Sequence, residues 1–313
     1  MNLYTSNSSK TNRRLLIRCV VFYCGFLLLG TLIEKYIFSV ARKATIGPSG
    51  KIAMIMNHSI DADIPIFGSS VALEHFNPAL LTKATGHSAY NFGFEGTKLN
   101  QYGGLLEEFN TYSNAEFVVI AGTVNEFSES NFATYKSNYI PFLKNGKIYT
   151  FLSNLEPRTF FLLRYVPFYS FTFFNNNYYK EIFDSNNVKG DPLKGFYPEN
   201  NVWEAGDSKS AIKYKIDLES IERFRRVVQK INLKERKVIL ILAPIYIEGQ
   251  KQITNLNQIR EIYKSLAGAE NIFMDFTESN ICNRKELFYN NTHLNIAGAD
   301  LFSKEFSEKF SAL

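Results

Sequence analysis

Three short runs limit the possible folds of this chain more than any other feature. EFVVIA at 116–121, KVILILA at 237–243 and IFMDF at 272–276 are dense in β-branched and aromatic residues. Each follows a segment of helical period, at 98–109, 218–231 and 256–266. Strands apolar on both sides must be covered on both faces, and helices between them supply the cover. The pattern therefore predicts an α/β domain with a largely parallel sheet. A further strand is expected at 62–67, with Pro65 placed where no ladder donor is required, at the strand's start or on an edge. Residues 71–81 read as helix, with Pro78 beginning a new turn or breaking the first. Near the C-terminus, Phe302, Phe306 and Phe310 share one helical face that should pack on the sheet.

The chain has 313 residues, enough for one substantial core. Its division is read as a tail at 1–14, an anchor at 15–38, a linker at 39–62 containing Gly47-Pro48-Ser49-Gly50, and a domain at 63–313. Residues 127–217 fit the strand–helix alternation poorly. They carry an aromatic and Asn-rich stretch at 168–179, a turn-rich stretch at 191–198, and Trp203. They read as an insertion over one end of the sheet, either a lid or partner surface or irregular structural padding.

The anchor is LLIRCVVFYCGFLLLGTLI at 15–33, apolar except for Arg18 and followed by Glu34 and Lys35. The uncharged run 19–33 falls short of the roughly 20 residues that span a bilayer core. Arg18 can snorkel from the first turn, and Tyr36 and Phe38 suit the opposite interface. Lys10, Arg13, Arg14 and Arg18 precede the run, whereas Lys35, Arg42 and Lys43 follow it beside Glu34. This slight bias places the N-terminus in the cytoplasm and the main domain outside it, periplasmic or extracellular. A cleaved signal peptide ending at Ser39-Val40-Ala41 competes with that reading, as does a buried core helix. The anchor is preferred because those small residues lie well beyond the apolar stretch and precede Arg42-Lys43.

Of three cysteines, Cys19 and Cys24 fall in the apolar run and Cys282 is alone in the rest, which excludes a disulfide scaffold and a cysteine-based metal cluster. The net charge of +5 is spread along the chain without a basic stripe, so no nucleic-acid partner is expected. The 28 Phe and 18 Tyr suit core and membrane-proximal packing, and also a cleft for sugars or acyl chains.

Chemistry concentrates in four short blocks. Phe67-Gly68-Ser69-Ser70 puts a serine on a strand-to-helix turn, where Oγ can be exposed at the carboxyl ends of parallel strands. Serine needs an imidazole to take its proton and a third group to orient that imidazole. His293, between the last strand and the C-terminal helix, can return to the same end. Two glycines in Asn91-Phe92-Gly93-Phe94-Glu95-Gly96 allow close backbone approach, and Gly122-Thr123-Val124-Asn125-Glu126 follows a strand directly. Backbone amides and an Asn amide are the donors a tetrahedral oxyanion needs. His58 with Asp61 and Asp63 suggests a metal only weakly, His75 and His87 have no ligand cluster, and Glu126 reads as a solvent-facing residue at a helix start. No metal or cofactor is expected.

In their order and contexts these blocks resemble the SGNH (GDSL-like) hydrolase superfamily. The likeness is closer to its membrane-anchored branch, related to the DltD protein of teichoic-acid D-alanylation and to polysaccharide O-acetyl-transfer proteins. The resemblance implies a three-layer α/β sandwich of flavodoxin-like type after one transmembrane helix. It also implies Ser70 as nucleophile, His293 as base, and the Ser70 and Gly96 amides with the Asn125 side chain as oxyanion hole. The activity implied is that of a serine esterase or O-acyltransferase on cell-surface glycans or acylated polymers, with a membrane acyltransferase as a possible partner in the cell envelope.

The chain departs from the family pattern at two positions. Ser69 stands where the usual hydrolases have Asp before the nucleophile. Asn290 stands three residues before His293, where they have the triad Asp. Three arrangements fit: a Ser70–His293 pair oriented by Asn290 or a backbone carbonyl; another acid, Asp275 or Glu278, at the ring; or a degenerate site in a glycan-binding or assembly partner.

Overall fold

The structure, a computed structural model, describes residues 5–130, 132–188, 190–203 and 210–313. It has the expected α/β architecture. One all-parallel sheet contains β1 (Ile64–Gly68), β2 (Ala89–Gly93), β3 (Phe117–Gly122), β4 (Lys237–Leu242) and β5 (Ile272–Asp275), in the spatial order β2-β1-β3-β4-β5. Every residue of β1 and all but the first of β4 are buried, which is why these strands read as continuous apolar runs.

Alternation along the strands feeds two cores. Val118, Ile120, Leu240 and Leu242 face the helices Leu99–Tyr112, Leu218–Asn232 and Leu256–Ala267. Val119, Ala121, Ile239 and Ile241 face Phe302, Phe306 and Phe310 of the helix Ile296–Phe310. The result is helix, sheet, helix. Pro65 lies in β1 ahead of its pairing with β3, which begins at Ile66, so it withholds no donor from that ladder.

The structure differs from the sequence reading in several places. β2 was not anticipated, because Ala-Tyr-Asn-Phe-Gly has neither a β-branched run nor clean alternation. Its central Asn91 is fully buried, and the Nδ2 donates to Ala72 O at 2.6 Å and Phe76 O at 3.0 Å. At 71–81 the expected break at Pro78 is present, but the second helix runs on past 81: the two are Ser70–His75 and Pro78–Thr85, with Asn77 capping the second. Residues 39–62 are not an open linker: Gly47–Met56 forms a helix whose Ile52, Ala53 and Ile55 are completely buried.

Nor is the 127–217 stretch irregular throughout. Its helices Gly146–Leu155 and Pro157–Tyr165 bury Ile148, Leu152 and Phe160 in the same core as Leu105 and Phe109. At the N-terminus the apolar run lies in one helix, Thr5–Ala41, whose part Asn12–Ala41 is long and apolar enough to cross a membrane. Residues 1–4 of the expected tail lie outside the described residues.

Candidate active site

The chain leaves β1 for β2 on one side and then crosses to β3 on the other. The carboxyl ends of β1 and β3 thus flank the switch point at which open α/β sheets bind ligands. At the end of β1, Gly68 has φ +151°, and an added Cβ would lie 2.2 Å from Ala121 O. Only glycine lets the strand turn so close to its neighbour. Ser69 O accepts from the Ala72 and Leu73 amides, and Ser70 becomes the first residue of the following helix.

There Ser70 Oγ lies 2.7 Å from His293 Nε2. His293 belongs to a loop held at several points. Tyr289 N donates to His293 O, and Leu294 N donates to His75 Nε2 at 3.0 Å. The Tyr289 ring stacks on the imidazole, with centroids 5.5 Å apart.

The groups around Asn290 settle the imidazole's tautomer. Asn290 Oδ1 accepts from the backbone N–H of Thr292 at 2.9 Å and of His293 at 3.0 Å. Backbone amides only donate, so the atom facing them is oxygen. That same oxygen lies 3.0 Å from His293 Nδ1. The ring proton therefore sits on Nδ1, and Nε2 is left as the acceptor for Ser70 Oγ–H. Thr292 Oγ1 lies a further 3.0 Å from Nδ1. Asp275 is engaged elsewhere, paired with Arg260 at 2.9 Å and accepting from Thr277 N.

Burial drives the His293 pKa down to about 4, so the imidazole is neutral at neutral pH. Each pKa unit corresponds to about 1.4 kcal/mol, and forming the imidazolium here costs about 3 kcal/mol more than for a free histidine. An amide at Nδ1 orients the ring but does not offset that cost as a carboxylate would.

Ser70 and His293 open on a cleft of about 150 Å³ that is also lined by Gly96, Asn125, Pro244 and Thr292. Gly96 sits in the loop after β2 at φ +66°. Thr123 Oγ1 donates to Asn125 Oδ1, and the Asn125 Nδ2 makes no hydrogen bond among the described residues. Tyr263 OH donates to Thr123 O at 2.9 Å and holds this turn from below. The five residues singled out in the sequence, Ser70, Gly96, Asn125, Asn290 and His293, are thus gathered at one end of the sheet.

Other expectations change. Glu126 is buried, not solvent-facing. Its Oε1 accepts from Leu99 N at 2.7 Å and so caps a helix whose own N-cap, Lys98, supplies no side-chain acceptor. His58, Asp61 and Asp63 turn to separate partners, Glu108, Ser113 and Ser88. His75 and Tyr289 went unrecognised as positioning groups. Only their proximity in sequence to Ser70 and His293 pointed to them.

No protein-family model matches the sequence, and comparison with curated proteins gives no match. Among solved structures, the chain is similar to one described as "a putative platelet activating factor from Streptococcus pneumonia", with 12% identity and a TM-score of 0.42 over 94% of this chain and 98% of that one.

Proposed function

We propose that this protein is a membrane-anchored serine esterase or O-acyltransferase of the SGNH type, acting outside the cytoplasm on acyl groups of cell-surface glycans or polymers. One observation carries the reading: a strand-end serine bonded to the Nε2 of a histidine whose Nδ1 proton is held by Asn290 Oδ1. Nε2 takes the Ser70 proton as Oγ attacks the ester carbonyl. The Ser70 and Gly96 amides and Asn125 Nδ2 face the developing oxyanion. The imidazolium returns its proton to the leaving alkoxide, and acyl-Ser70 then passes to water or to a glycan hydroxyl deprotonated by the same nitrogen. In the transfer reaction the partner is the acyl-supplying membrane protein.

A mostly apolar cavity of about 620 Å³ has lining residues that neighbour the site residues in sequence. It is lined by Leu73, one turn beyond Ser70, and by Phe94 and Glu95, next to Gly96. Its size falls within the usual ligand range of about 300–1,000 Å³ and suits the apolar part of an acyl group.

Asn290 favours a second reading, a glycan-binding or assembly partner with little turnover. Reaction with a serine-directed fluorophosphonate separates the two. Wild type is expected to be labelled and Ser70→Ala not; absence of label on wild type removes the enzyme reading, and equal labelling of both removes Ser70 from its role.

A further inference from the structure

The folded domain does not simply hang from the N-terminal helix; it packs along it. Leu27, Gly30, Thr31, Glu34, Ile37 and Ala41 recur at helical spacing, and all are at least partly covered. On the other side Leu28, Leu29, Leu32 and Ile33 are exposed. The upper part of the covered face meets the aromatic segment 165–174. The Phe168 ring fills the place of a side chain at Gly30, where an added Cβ would lie 2.8 Å from Cε1. It also meets Phe26 edge-on, with centroids 6.0 Å apart. Just beyond the apolar run, Ser170 Oγ donates to Glu34 Oε1 at 2.5 Å.

Helix length fixes the level of these contacts. The apolar stretch 15–33 is about 28 Å long as a helix, against about 30 Å for a bilayer's hydrocarbon core. It has no length to spare. If water reached down to Leu27, residues 15–26 would leave only about 18 Å to span, and the exposed Leu28, Leu29, Leu32 and Ile33 would stand in water. With Glu34 at the surface, Gly30 lies about 6 Å and Phe26 about 12 Å below it. Phe168, which touches both, lies at the depth of about 5–10 Å reached by interfacial amphipathic elements.

The neighbouring residues match that position. Phe161, Tyr165 and Val166 are exposed, and the rings of Phe161 and Tyr165 lie 5.0 Å apart. The Arg164 guanidinium sits 4.2 Å above the Tyr149 ring. Apolar rings beside an aromatic-backed cation are the composition found where headgroups meet acyl chains.

We infer that residues 161–171 form a second membrane contact, inserted into the bilayer interface beside the N-terminal helix, so that the domain is held against the lipid surface in a fixed orientation. The inference rests on reading Asn12–Ala41 as a membrane span. The full chain carrying Trp203→Phe, with a single tryptophan introduced as Val166→Trp, Tyr165→Trp or Phe22→Trp, would be placed in phosphatidylcholine–phosphatidylglycerol vesicles containing doxyl-labelled lipid. Tryptophan at 166 or 165 is expected to lose about half its emission to a label near the carbonyls and to be shielded from iodide. Tryptophan at 22 should respond most to a mid-chain label. Quenching at 22 without quenching at 165 or 166 overturns the inference and leaves the span standing; quenching at none of the three overturns both. A Gly30→Leu substitution gives an independent check, since it must displace Phe168 and should weaken the response at 166 while leaving that at 22.

Discussion

In the proposed mechanism Asn290 performs one half of a triad carboxylate's work. It fixes the tautomer and angle of His293 through an oxygen already pinned by two backbone amides. It supplies no charge to the imidazolium. Because a carboxylate would accept the same amides, Asn290→Asp is nearly isosteric and should raise turnover, by up to the order of 10⁴ that such a charge is worth in a serine-protease triad. The acid limb of the rate profile gives a second readout. With the His293 pKa at about 4, wild type should keep its neutral base well below pH 6.5, and Asn290→Asp should shift the limb upward.

Glu126 offers a test of stability at the same scale. Burial raises its pKa to about 7, opposed by the Leu99 amide and Lys98. A raised folded-state value means that its contribution is fully present below about pH 4.5 and is lost as pH rises through about 7. The Tm of Glu126→Gln should therefore fall less than that of wild type between pH 5 and pH 8. An equal fall in both would show that Glu126 does not carry this dependence.

Among the elements, β2 connects the sheet to the helix that begins at Ser70. Asn91 ties β2 to the Ser70–His75 helix through the Ala72 and Phe76 carbonyls, while its Oδ1 accepts from Gly93 N at 2.9 Å. Asn91→Ala strands buried polar groups and should cost about 2–4 kcal/mol in chemical denaturation. It should also slow fluorophosphonate labelling, because the helix start would lose its register. β2 was the strand least legible in the sequence. β1, β3 and β4 were readable because strands buried on both faces concentrate apolar residues, and β5, half-buried at the sheet's edge, because of its Ile-Phe-Met run, whereas β2 spends its centre on a polar side chain that only a neighbouring helix can satisfy. The helix Gly47–Met56 was obscured similarly, since Gly47 and Pro48 at its start resemble a linker when the surface covering it is unknown.

Over the whole molecule, the proposed topology predicts that protease added to intact spheroplasts will digest the domain beyond residue 45. Protection there, with digestion after lysis, would reverse the orientation. The four apolar strands β1, β3, β4 and β5 with the helices that precede the last three, the apolar N-terminal helix and the residue types near Ser70 and His293 are local properties. Periodicity, composition and short motifs carry them, and the sequence by itself determined them. Tertiary structure decided what depends on distant parts meeting: the 2.7 Å contact between Ser70 and His293 across 223 positions, the choice of Asn290 over Asp275 at Nδ1, the capping role of Glu126, and the packing of Phe168 on Gly30. Each of these is fixed by which buried groups find partners once the chain is packed, and no run of neighbouring residues specifies that pairing.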